Sequence, residues 1–333
     1  MNNDKQTRDS NIELLRLVSM FLVLVVHADF KALGMPSLAD CAAAPVGTFM
    51  RYLVESFSIV CVNVFILISG WFSIKFRFVR LGELLFQLLF ICLVMFGFLA
   101  LVGGIGELSL RSFVDDYWFV WTYVVLYLFA PALNSFVDKE PKKSIETFLL
   151  LFFLLQTLFG CLISTDWFSL GYSPLSFMGL YVLGRYMRLY PNRFTTQSRT
   201  IDLIAYMGMA LLSTLSVYLL HSLQIDPSKV YAYSSPLVIV ESVSLFLFFT
   251  KLSFKSNVVN WLAVSCLSIF LVHCFPGFFE RVYLYQIRAW FMGLDTLPFV
   301  LYTFLWILFF LFVPVFIDKL RIFIWRKLCL LWK

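Results

Sequence analysis

Ten mostly apolar stretches run along the 333-residue chain, each close to the about 20 residues a helix needs to cross a bilayer. They cover approximately 12–31, 52–74, 81–103, 117–136, 144–163, 174–190, 200–221, 235–252, 258–276 and 297–318. The sixth is the weakest, being short and ending in the basic GRYMRLY. Phe-rich runs such as FLLLFFLLQTLF and LPFVLYTFLWILFFLFVPVF have no polar face, which predicts that they face lipid. The polar segments between runs are short, and no repeat, low-complexity tract or flexible linker divides them. The longest, roughly 32–51 and 277–296, fall on the outer side, and FPGFFERVYLYQIRAWF in the second is expected to lie along the interface as an amphipathic piece. The pattern therefore predicts an all-α, polytopic membrane protein with about ten transmembrane helices in one domain over 1–333.

Charge sets the orientation. With the N-terminus inside, nineteen basic residues fall in inner segments, among them Lys75, Arg77 and Arg80, then Arg185, Arg188, Arg193 and Arg199. Only Lys31, Arg51, Arg111, Lys229, Arg281 and Arg288 fall outside, with Arg16 inside the first run. This asymmetry alternates loop by loop, which predicts ten spans with both termini cytoplasmic. Composition agrees: 61% of residues are hydrophobic and only 14% charged, with a mean hydropathy of +0.87, whereas a soluble domain carries nearer a quarter charged residues. The net charge of +6 follows from basic inner loops and implies no nucleic-acid partner. The seven cysteines lie mostly in apolar runs without C-x-x-C spacing, so they read as small buried hydrophobes, not as a disulfide framework or a metal site. Glu13 and Arg16 within the first run, and the absence of a small-residue cleavage site, make that run an anchor rather than a cleaved signal.

The first span, NIELLRLVSMFLVLVVHADF, keeps two residues that hydrocarbon penalises. An arginine at the centre of a span costs about 2.5–3.5 kcal/mol on insertion scales. Arg16 can snorkel to the inner surface, and His27 alone can be satisfied by a neighbouring carbonyl. Together they say more. Eleven residues make three turns plus about 20°, so both side chains share one face, separated by about 16 Å along the axis. Such a polar stripe must face the bundle interior or a water-filled cavity.

Depth brings in two more residues. His273, in SIFLVHCF, lies about fifteen residues from the inner start of the ninth run, as His27 does in the first. Glu241, in PLVIVESVSLF, lies about six residues below the outer surface, at a similar level. Two imidazoles and a carboxylate at one depth are suited to moving protons near neutral pH. The remaining histidine, His221, falls at the outer end of the seventh run, where an interfacial role is expected.

Arg16 and His27 form an R-x10-H motif on the first span, as in the bacterial membrane acyltransferase 3 family, and three further stretches resemble that family in order. VNVFILISGW resembles its F-F-x-x-S-G segment through Phe65, Ser69, Gly70 and Trp71. YWFVWTYVVLYLFAPAL resembles W-F…Y-L…P through Trp118, Phe119, Tyr127 and Pro131. SIFLVH resembles the late I-Y-L-x-H run ending at His273, with Phe270 in place of the family's tyrosine. The resemblance runs from residue 8 to residue 273.

It implies a membrane O-acyltransferase of the bacterial inner (cytoplasmic) membrane. Such an enzyme moves an acyl group, usually acetyl, from cytoplasmic acyl-CoA to a hydroxyl of a surface or lipid-linked saccharide. His27 would then be the general base, with His273 and Glu241 assisting, and Arg16 would hold CoA phosphate with the planar fork that guanidinium offers. Arg77, Arg80 and Arg185 would add positive potential for acyl-CoA, although the positive-inside rule alone accounts for any one of them. The expected partners are acyl-CoA, a saccharide or glycolipid acceptor and the bilayer, with no tightly bound cofactor and no metal. Gly70 is expected to allow close helix packing. The aromatic cluster Tyr117, Trp118, Trp121 and Tyr123 is expected to be an interfacial belt, or else a platform for a sugar ring. A transporter or glycan flippase is the main rival, but no inverted pair of broken helices is evident around Pro131 and Pro314. A sensor or scaffold gives no reason for two histidines at one depth.

Overall fold

A computed structural model describes residues 9–102 and 109–331. Among the described residues there are helices and no strand. Eight helices are long and apolar enough to cross a membrane: α1 (Ser10–Lys31), α2 (Pro45–Phe72), α3 (Phe78–Leu101), α4 (Trp118–Lys139), α5 (Lys142–Leu162), α7 (Arg199–Ser222), α8 (Ser228–Thr250) and α11 (Thr296–Leu330). The sixth expected span forms the shorter helix α6 (Pro174–Leu189). The ninth is broken into α9 (Asn257–Ala263) and α10 (Cys266–His273). At the break the Ser265 N–H bonds the Leu262 carbonyl, a tight turn that takes Val264 and Ser265 out of the helix. The chain is thus an all-α polytopic membrane protein.

Local sequence accounts for several starts. Ser173 and Ser198 accept hydrogen bonds from the third residues of α6 and α7, and Pro at the first position of α6 has no N–H to satisfy. Helices α2 and α8 form the centre, 72% buried over their most apolar windows, while α3, α5, α7 and α11 are only 22–28% buried. The Phe-rich runs of α5 and α11 are therefore peripheral, as their lack of a polar face predicts. At the centre, α2 and α6 touch backbone to backbone. A methyl group on Gly70 would overlap the Tyr181 carbonyl oxygen, and one on Gly184 would meet the Leu67 carbonyl oxygen at 2.5 Å. Small residues at this crossing are what allow the approach.

Ion pairs tie the bundle together at its two ends. Arg185–Asp138, Lys251–Asp202 and Arg321–Glu83 join segments expected inside, whereas Arg51–Asp29 and Arg288–Glu280 join segments expected outside. None of these pairs mixes the two faces. All seven cysteines are free. His221 Nε2 lies 3.0 Å from the Tyr52 hydroxyl, which itself donates to the Pro36 carbonyl, so the histidine must be the donor in that pair. The segment expected to lie on the interface instead turns inward. Phe279, Tyr283 and Leu284 are buried, in a π-helical stretch over Phe279–Leu284, and the Tyr283 hydroxyl donates to the Leu24 carbonyl at 2.8 Å.

Candidate active site in a cavity through the bundle

One cavity of about 670 Å³ runs along the face of α1 that carries Arg16, Met20, Val23 and His27. Their spacing of 4, 3 and 4 residues is that of a single helical face, so Arg16 and His27 open into the same space, as their eleven-residue separation requires. Near Arg16 the wall includes Leu84 of α3 and the broken stretch from Ala263 to Leu267. Cys266, at the start of α10, is within electrostatic reach of Arg16. The N-terminus of α10 therefore forms part of the same cavity wall as Arg16. At the far end the cavity reaches Glu55, Trp118, Tyr172, Tyr231 and Tyr233.

His27 and His273 meet midway. Their nearest ring nitrogens, Nδ1 of His27 and Nε2 of His273, are 3.0 Å apart. Nδ1 of His273 lies 2.7 Å from the Ile269 carbonyl oxygen, which can only accept, so this nitrogen carries the proton. Nε2 of a neutral His273 is then a lone pair, and the proton shared between the rings belongs to Nδ1 of His27. In consequence Nε2 of His27 is also a lone pair, and no described residue hydrogen-bonds to it. The ring thus borders the cavity with one nitrogen tied and one free to accept a proton. His27 is also the residue at which α1 widens into a π-helical stretch, His27–Lys31, a distortion often found at functional sites. Phe279 stands edge-on to His27 at 5.0 Å, and Phe270 and Tyr283 flank His273 at 5.8 and 5.6 Å. The side chain at position 270 therefore acts here as an apolar wall. Cys274 closes the group, with Sγ 3.2 Å from His273 Nε2 and 3.8 Å from His27 Nδ1.

Other sequence-predicted residues lie elsewhere. Glu241 is buried, borders no part of the cavity, and neither carboxylate oxygen has a hydrogen-bond partner among the described residues. The structure does not bring it to the two histidines. Of the four arginines expected near acyl-CoA, only Arg16 lines the cavity, about one-third exposed and 3.4 Å from Glu13. Arg77 and Arg80 are exposed at the start of α3, and Arg185 pairs with Asp138 at 2.9 Å. Ser69 reaches the cavity and shares a 3.2 Å hydrogen bond with Tyr123. Trp118 and Phe119 also line it, which takes them out of a simple interfacial belt, whereas Trp121 is 38% exposed.

Sequence reasoning missed Glu55, Cys274 and Phe279. Glu55 carried a readable signal, a carboxylate inside the apolar run RYLVESFSIV. It is 2% exposed, and its Oε2 is buried without a hydrogen-bond partner among the described residues. Asp29 carried the same signal and is paired to Arg51 at 2.6 Å. Cys274 and Phe279 had none, since an apolar residue gives no hint of which cavity it lines.

The fold and this site describe a polytopic membrane protein whose helical bundle encloses a cavity that reaches a pair of histidines. Residues 9–319 match the family model for an acyltransferase domain, and the chain belongs to that family of acyltransferases. No curated protein and no solved structure matches the chain.

Proposed function

We propose that the protein moves an acyl group, most simply acetyl, from cytoplasmic acyl-CoA to a hydroxyl of a surface or lipid-linked saccharide. The observation that carries this reading is a single cavity that holds Arg16 toward one end, Glu55 with aromatic rings at the other, and His27 with a free Nε2 between them. CoA phosphates pair with Arg16 and the N-terminus of α10. The pantetheine thread then covers the about 16 Å to His27. The acceptor enters from the opposite end.

In the transfer step His27 Nε2 takes the proton of the acceptor hydroxyl as its oxygen attacks the thioester carbonyl. The tetrahedral intermediate collapses, the C–S bond breaks, and the departing CoA thiolate recovers that proton from Nε2. While His27 is protonated, its Nδ1–H donates to His273 Nε2, which spreads the positive charge over two rings. His273 is thus a positioning residue that fixes the tautomer through the Ile269 carbonyl, much as a carboxylate orients the histidine of a hydrolytic triad. At the far end, Trp118, Tyr172 and Tyr233 lie 4.5–6.1 Å from one another, centroid to centroid. Rings so placed suit the apolar face of a pyranose, and the unpartnered Glu55 oxygen can accept its hydroxyls.

Labelled acetyl-CoA with purified protein tests the reading, by following acetyl release or transfer. Wild-type turnover that is lost in His27→Ala supports it; turnover that persists in that variant removes His27 as the base. Glu55→Gln is expected to raise the KM for acceptor while leaving the KM for acetyl-CoA near its wild-type value.

A further inference from the structure

The two histidines and Cys274 form more than a proton relay. Nδ1 of His27, Nε2 of His273 and Sγ of Cys274 lie within 4.8 Å of one another, at separations of 3.0, 3.2 and 3.8 Å. A tetrahedral zinc ion, with bonds of about 2.0–2.1 Å to nitrogen and about 2.3 Å to sulfur, sets its ligands about 3.3 Å (N to N) and about 3.5 Å (N to S) apart. The triangle in the protein therefore matches each edge to within about 0.3 Å. We propose that this triangle is a binding site for a thiophilic divalent cation, Zn²⁺ by its ligand set, and that the bound cation switches off acyl transfer.

Three features beyond the distances support the site. His273 donates its other ring N–H to the Ile269 carbonyl, the outer-shell hydrogen bond that metal-ligating histidines almost always make. It leaves Nε2 as a lone pair facing the other two ligands. Two nitrogens and a sulfur suit zinc better than magnesium or calcium, which prefer oxygen. His27 and Cys274 both border the cavity, so a water or chloride can complete the fourth position and the ion has a route in.

The inhibitory part rests on the role given to His27 in the transfer step; the binding part does not. Coordination through Nδ1 requires the proton now on that nitrogen to sit on Nε2. The nitrogen that would accept the acceptor's proton then becomes a donor, and the base is lost. The Cys274 thiol proton leaves to water as the sulfur binds. Metal-bound and catalytic states of His27 thus exclude each other through one proton position.

Cobalt(II) titration of the detergent-purified full chain, stripped with chelator, reads the binding directly. One equivalent is expected to give the intense visible bands of a tetrahedral ion and a thiolate-to-cobalt charge-transfer absorption, both removed by added Zn²⁺. In Cys274→Ser the charge-transfer absorption should vanish. Affinity there should fall by at least about 10–100-fold, the range seen when even an outer-shell partner is removed. Should that variant not accumulate, zinc X-ray absorption on the wild type is expected to show two nitrogen neighbours and one sulfur. Absence of cobalt binding by the wild type, charge transfer that persists in Cys274→Ser, or a zinc shell without sulfur would overturn the site. Zinc added to an acetyl-CoA turnover assay should inhibit the wild type, and Cys274→Ser, measured against its own metal-free rate, should need at least about tenfold more. Saturating zinc with unchanged wild-type turnover overturns the switch and leaves only the ion site. A protein that binds cobalt as described yet never turns over acetyl-CoA overturns the transfer reaction instead.

Discussion

His27 is useful because of what it cannot do. Its Nδ1 is committed to His273, whose own Nδ1 is committed to the Ile269 carbonyl, so the imidazole has one tautomer and one free nitrogen. Removing the base should cost the 10²–10⁴-fold typical of general base catalysis. His27→Ala is accordingly expected to lower kcat by about that factor while retaining acetyl-CoA binding by calorimetry. His273 acts one step back. His273→Ala should lower kcat less than His27→Ala does, with KM for acetyl-CoA unchanged. His273→Gln should recover part of the loss, because its amide oxygen can accept from His27 Nδ1–H; a purely structural role for the ring predicts no such rescue. Arg16→Lys keeps charge but loses the planar fork, so it should raise KM for acetyl-CoA and spare kcat. An unchanged KM in that variant removes Arg16 from the donor site.

Helices act here as rulers and as frames, and the two uses differ in how far a sequence discloses them. Rise per residue is fixed, so counting from the inner ends puts His27 and His273 at one depth, and the structure sets their nearest ring nitrogens 3.0 Å apart. The same count puts Glu241 at that level, yet it does not border the cavity, because depth along an axis says nothing about which neighbour a face meets. Eight of the ten apolar runs were legible as membrane-length helices for the same reason: hydrocarbon thickness demands a length. The interruption at Val264–Ser265 was not, since a valine and a single serine are also tolerated inside an intact span. Nor was the inward turn of Phe279 and Tyr283, whose pattern suits an interface as well as a core. Gly70 was legible from its SG context, and the frame it supports is testable. Forcing a methyl into the Tyr181 carbonyl should cost about 1–3 kcal/mol or more, because backbone cannot rotate aside. Gly70→Ala is expected to lower the thermal midpoint in detergent, whereas Gly97→Ala, with no atom within 4 Å of the added carbon, should leave it unchanged or slightly higher. Equal midpoints for the two variants would deny the crossing of α2 and α6 its tight contact.

Across the whole molecule, one geometric fact sets a direction for the chemistry. The cavity has Arg16 toward the end where α1 begins and Glu55 with its aromatic rings at the end where α1 finishes, and from the basic loops the first of these ends is expected in the cytoplasm. In the proposed reaction CoA, a polyanion too large to cross, would keep its phosphates at the Arg16 end, and only the thioester would need to reach His27. On this proposal an acceptor on the outer face would meet it there, and the acyl group would cross the bilayer without the protein cycling between two open states as a transporter does. Two measurements check this arrangement. Single cysteines at Glu140 and Arg111, in a background lacking the native thiols, should label from the inner and outer sides respectively, and the reverse at either position breaks the alternation. In sealed vesicles of known orientation, acetyl-CoA should be consumed only when supplied to the face that carries position 140, and the acetylated acceptor should appear on the other. Consumption from the opposite face alone would invert the path from Arg16 to Glu55 and leave the guanidinium without a role in donor binding.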